Sequence, residues 1–110
     1  MKESPRSIEP RVEKGLLLEA RASAARGKSA STALWTVAYN HWRTLALQLA
    51  GARPKPPEYY DAWYHTALAL YKDGKPADAK KTLASVMRLS ATVGGPEIKA
   101  KFVDLLSQIK

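Results

Sequence analysis

The chain has 110 residues, a formal net charge of +8, 45% hydrophobic residues and no cysteine. That is enough for one packed core and too little for two domains, and it excludes disulfides and thiolate metal sites. No run approaches the ~20 apolar residues that a membrane helix needs, and the lack of cysteine agrees with a reducing, cytoplasmic setting. Residues 1–9 are polar and without period, so they read as a loose leader before a single domain over 10–110. Pro10 suits the first position of a helix, and Val12, Leu16, Ala20 and Ala24 repeat every fourth residue up to Gly27, which reads as a left-handed stop. The next segment, Thr32 to Ala50 with Ser31 as cap, is apolar around most of its circumference. Leu34, Ala38, Trp42, Leu45 and Leu49 form its main stripe, Trp35, Tyr39 and Ala46 widen it, and Thr36, Asn40, Arg43 and Thr44 leave a narrow polar strip. A helix with so little polar surface is covered on two sides, which makes it the expected central element. Leu47 falls in the polar strip and reads as an isolated exposed leucine.

Three prolines within 54–57 then form a stiff connector. A third helix is expected from Glu58 to Asp73 and a fourth from Pro76 to about Ser90, with Gly74 making so short a turn that the two are antiparallel neighbours. Val93, Gly94 and Gly95 break the chain again before a fifth helix opened by Pro96, whose Ile98, Phe102, Leu105 and Ile109 share a face. No stretch alternates with period two. The fold class is therefore all-α, five helices stacked as antiparallel hairpins.

Trp63, Thr66-Ala67, Leu70-Tyr71, Gly74, Ala79 and Leu83 follow one another at the intervals of a tetratricopeptide repeat, and residues 60–91 resemble that family. Thr66 replaces the usual leucine, and Ala91 stands at the closing-proline position. Ala67 and Ala79 are small where two helices cross closely, with Trp63, Leu70 and Leu83 filling the wedge around the crossing. Pro96 to Ile109 resembles the first helix of a following repeat or a capping helix. The first two helices match less well, since Gly27 lies 47 residues before Gly74 rather than one repeat length. The resemblance implies a TPR-like α-solenoid fragment and a non-enzymatic protein-binding or assembly role. It also implies that Asp61, Tyr64, His65, Leu68 and Lys72 face a partner groove with Tyr71 at its border, continued by Lys99 and Val103. Tyr64 and Leu68 stand where the carboxylate-clamp subfamily has lysine and asparagine, so an acidic C-terminal peptide is not the expected ligand. Because a repeat buries its faces on its neighbours, a unit of this kind ends a larger solenoid, is a fragment of one, or associates with itself.

No nucleophile stands with a partnering base, no phosphate-cradling glycine motif occurs, and His41 and His65 lack metal-ligand spacing, so neither an enzyme nor a cofactor is expected. Eight of the nine aromatic residues lie between Trp35 and Tyr71, where the helical spacing of the tryptophans points to core packing. The positive charge sits in the first half of the chain. Ser31 to Pro57 contains Arg43, Arg53 and Lys55 with no acid, and Arg21, Arg26 and Lys28 precede it. A small basic helical nucleic-acid binder using Arg43, Arg53 and Lys55 is the competing reading.

Overall fold

A computed structural model describes residues 5–52, 56–89 and 95–109. The described chain is all-helical, with α1 at Pro5–Ala24, α2 at Lys28–Leu49, α3 at Pro57–Lys72, α4 at Pro76–Leu89 and α5 at Pro96–Gln108. Prolines open α1, α3, α4 and α5, where a missing N–H removes nothing that the helix would use.

The first helix starts earlier than its sequence suggests and turns another face inward. Residues 5–9, read as leader, belong to α1, and Pro10 lies inside it. Ile8 is 5% exposed in the core, and Gly15 and Ala22 are buried in line with it, with Val12, Leu18 and Glu19 partly covered. The expected stripe is not the core stripe: Leu16 is 47% exposed, and Ala20 and Ala24 are exposed as well. A strict four-residue repeat drifts about 40° per step on a helix of 3.6 residues per turn, whereas alternating steps of four and three hold one face.

In α2 the start also moves forward. Gly27, at φ 89°, is the residue before the helix, and the Ser31 amide already donates to the Gly27 carbonyl, so Ser31 is not a cap. Otherwise the stripe holds: Trp35, Ala38, Trp42, Leu45, Ala46 and Leu49 are buried, and Thr36, Asn40, Arg43, Thr44 and Leu47 are exposed.

Gly74, at φ 79°, closes α3. The Lys75 amide reaches the Leu70 carbonyl and the Gly74 amide reaches that of Tyr71, the paired bonds of a Schellman ending, which leaves α4 free to return antiparallel. α2 is covered on two sides, by α1 and α3, but the hub is α3, which packs against all four other helices. Its alanines explain this. Ala62 and Ala69 let α3 approach the core that α2 shares with α1, while Ala67 faces a second core built with Ala79, Leu83, Phe102 and Leu105. Trp63 and Tyr39 border both cores. Buried Thr66 satisfies its hydroxyl by donating to the Ala62 carbonyl at 2.7 Å.

Candidate functional site

The α3 residues expected to face a groove do share a face, and α1 and α5 flank it. That face is built around a buried charge network. His65 is 7% exposed and lies between two carboxylates: Nδ1 is 2.6 Å from Glu19 Oε2 on α1, and Nε2 is 3.5 Å from Asp61 Oδ2 one turn earlier on α3. The other Asp61 oxygen accepts from Lys101 Nζ of α5 at 3.0 Å, and Lys101 also stands 5.6 Å from the centre of the Tyr64 ring. Asp61 thus ties α3 to α5, and through His65 and Glu19 the network reaches α1.

The floor under the imidazole is Trp42, stacked at 4.2 Å between ring centres and 15° between planes. Trp42 reaches this place because α1 has no side chain at Gly15; a Cβ there would overlap the six-membered ring of the indole. The same helix pair is tied by the His41 Nε2 donor, 2.6 Å from the Arg11 carbonyl, and by Arg11 with Gln48. Gly15 therefore positions Trp42, and Trp42 supports His65.

Both imidazole nitrogens face carboxylate oxygens, which suits the doubly protonated ring. Burial opposes that charge, but hydrogen bonds to Asp61 and Glu19 outweigh it and hold the His65 pKa above its ordinary value. For Asp61 burial also acts against ionisation, and the bonds to His65 and Lys101 overcome it, leaving its carboxyl below the usual range. Burial raises the Tyr64 hydroxyl; Lys101 opposes this, while Glu19, Asp104 and Asp61 add to it.

Two crevices open along this face. One, of 340 Å³ between α1 and α3, is bounded by Ile8, Glu9, Val12, Glu13, Glu58 and Asp61. The other, of 190 Å³ between α3 and α5, is bounded by Pro57, Glu58, Asp61, Glu97, Ile98 and Lys101. They share Glu58 and Asp61, so together they cross three helices with an apolar lining and an acidic rim.

The remaining expected residues divide. Tyr64 is half-buried, its ring 6.2 Å from that of Phe102, Leu68 packs on the second core, and the Tyr71 hydroxyl donates to the Gln108 carbonyl at 3.5 Å, while Lys72 is exposed. Lys99 and Val103 do not continue the groove. They are exposed on the opposite flank of α5 from Lys101, with the core line of Phe102 and Leu105 between them. The α5 residues turned towards Asp61 and Tyr64 are Lys101 and Asp104, which the sequence reading passed over along with Glu19 and Gly15. A signal existed for Lys101: at 100° per residue it lies about 70° from the core line of α5, where a residue borders the neighbouring helix.

Arg43 and Lys28 on α2 are exposed, as are Arg21 on α1 and Arg26 between the two helices, whereas Arg53 and Lys55 lie outside the described residues. Among the described residues no group of three or more His, Cys, Asp or Glu could hold a metal ion, and no helix is long and apolar enough to cross a membrane. No family model, curated protein or solved structure matches the chain.

Proposed function

We propose that the protein is a non-enzymatic protein-binding module, acting in the manner of a tetratricopeptide repeat in a reducing cytoplasmic setting, and that it holds a basic segment of its partner across α1, α3 and α5. The observation that carries this reading is the pair of crevices joined at Glu58 and Asp61, where Ile8, Val12 and Ile98 offer apolar contact beneath a rim of glutamates. A peptide with alternating apolar and basic residues meets both demands, apolar anchors for affinity and opposite charge for steering.

The test is a titration of the full chain with a fluorescent amphipathic peptide rich in lysine and arginine, against a variant carrying Glu58→Lys. We expect at least a tenfold loss, about 1.4 kcal/mol, with unchanged helicity, since Glu58 lies in the first turn of α3 and is only partly covered. Equal affinity for the two proteins would reject the reading. The nucleic-acid alternative would instead show duplex DNA binding whose logarithmic salt slope is about −0.9 for each phosphate neutralised, lost in Arg43→Glu.

A further inference from the structure

The turn that ends α3 does more than reverse the chain. It places Asp73 beside α2, where a cavity of 220 Å³ opens between α2, the end of α3 and the first turn of α4. The walls differ in chemistry. Ala69 and Leu70 of α3 are apolar, and Tyr39 of α2 adds an aromatic side. Thr36 and Asn40 stand one turn apart on α2, and because the Thr36 hydroxyl donates its proton to the Thr32 carbonyl at 2.9 Å, its oxygen is left as an acceptor. No residue of the Glu19–His65–Asp61–Lys101 network lines this space.

Asp73 is the unusual wall. Its side chain is 5% exposed, Oδ1 is buried with no hydrogen-bond partner among the described residues, and Oδ2 meets Lys75 Nζ at 3.4 Å. That distance exceeds the ~3.2 Å of a well-formed N–H···O bond, and the Lys75 side chain is itself 54% exposed. A carboxylate withdrawn from water and short of donors is costly, so it calls for a donor from outside the chain. Charge selects the kind of donor. Asp73 and Asp78 bring two negative charges to the walls and Lys75 one positive, a net of −1 that a single monovalent cation cancels. Size narrows the choice further. Water takes ~30 Å³ per molecule, so the cavity has room for several, more than a bare ion fills. With acceptors on two walls, Thr36 and Asn40 on α2 and Asp73 and Asp78 on the other, the planar guanidinium with its five donors fits better than a compact ammonium; it is also less strongly hydrated and stacks on aromatic rings.

We propose that this cavity binds a guanidinium group, with Asp73 and Asp78 accepting from its N–H donors, Tyr39 against its plane, and Ala69 and Leu70 along its methylene stem. The same contacts serve an arginine side chain of a partner protein and a free alkylguanidine, since both present the same fork of donors to the carboxylates. Occupation supplies the bonds that the fold leaves Asp73 without, and it does so at a place separate from the acidic crevices beside α1 and α5.

Magnetic resonance titrations of the isotope-labelled full chain test this with propylguanidinium, with N-acetylarginine methylamide, and with the citrulline and lysine counterparts of the latter. Both guanidinium probes should shift the amides of Tyr39, Asn40, Leu70 and Lys75 saturably. The citrulline compound, which keeps the shape without the charge, should bind at least tenfold more weakly, about 1.4 kcal/mol, and the lysine compound should bind more weakly than the arginine one. Asp73→Asn should weaken the guanidinium probes by about tenfold. Asp78→Asn, at an exposed position that the fold tolerates, should weaken them about threefold, and Lys75→Gln, which removes the competing cation, should tighten them by a similar factor. Glu58→Lys should leave these affinities unchanged, which separates this site from the basic-peptide crevices. Tighter binding of the arginine compound than of propylguanidinium assigns the cavity to a partner's arginine, and equal binding assigns it to a free alkylguanidine. No saturable shift with either guanidinium probe, shifts confined to the surroundings of Glu58, equal binding of the citrulline compound, or full affinity in both Asp73→Asn and Asp78→Asn would each overturn the proposal.

Discussion

The side chain that gives the acidic face its character is an imidazole held between two carboxylates, and its protonation is coupled to folding. Because the folded-state pKa of His65 is raised, its contribution to stability is complete below the ordinary histidine value near 6.5 and is lost as pH rises through the folded value. Asp61 acts in the opposite sense. Its folded pKa is depressed, so its contribution is present above the ordinary aspartate value and lost as pH falls through the folded one. The network therefore stabilises most between those limits, and the melting temperature should decline on the alkaline side. His65→Gln should remove that decline; a pH profile of melting identical to the natural chain's would contradict the assignment. Gly15 sets a second expectation. Alanine in place of a helical glycine gains about 1 kcal/mol from propensity alone, yet here the added methyl meets the fully buried Trp42 ring. Overpacking costs about 1–3 kcal/mol, so Gly15→Ala should lower the melting temperature. Neither residue's role was readable from sequence. Gly15 breaks no pattern that a periodicity search follows, and the partners of His65 lie 46 residues away on α1 and 4 residues away on its own helix.

At the scale of the element, the second hairpin was the most legible part of the chain. Ala79 is fully buried in the crossing with α3, and Lys80 beside it is exposed. Ala79→Leu should cost about 1–3 kcal/mol by overpacking, and Lys80→Leu little, a comparison read from urea unfolding midpoints; equal costs would displace the register of α4. The starts of α4 and α5 followed from Pro76 and Pro96 and the end of α3 from the turn glycine Gly74, each acting through its own backbone geometry, whereas Pro57, expected in the connector, opens α3 itself. The first helix was not so legible, because its buried line is made of small and mixed residues, Ile8, Gly15 and Ala22 with the partly covered Glu19 beside them, which hydrophobicity alone does not mark. The rotation of α5 was hidden for a related reason. Lys99 and Val103 were carried over from a repeat register, whereas Ile98, Phe102 and Leu105 orient this helix by what they bury.

The whole molecule is organised by one helix that serves two cores. The three tryptophans pack in or against the first core, while Phe102 and Leu105 anchor the second. Since α3 contributes Ala62 and Ala69 to one and Ala67 and Leu70 to the other, neither core survives without it. Loss of helicity and change in tryptophan emission should therefore coincide on heating, the behaviour of a two-state domain. Phe102→Ala, expected to cost about 3–5 kcal/mol, should shift both signals together although it lies outside the tryptophan-rich core. Two separated transitions would show that α3 couples the halves weakly. Charge is arranged on the same scale. Three glutamates and one aspartate line the crevice between α1 and α3, and α2 has no acid along its length, so a basic chain nevertheless offers an acidic face.

The order in which the helices meet has a kinetic consequence. α1 with α2, α2 with α3 and α3 with α4 are neighbours in sequence as well as in space, and such local pairings close early and favour rapid folding. The contacts that skip an element are α1 with α3 and α3 with α5, the two that the Glu19–His65–Asp61–Lys101 network spans. We expect those bonds to form after the rate-limiting barrier, in which case weakening them speeds the return to the unfolded chain and barely slows its collapse. His65→Gln should lengthen no refolding phase but shorten the native lifetime, and the network thereby governs how long the assembled face persists.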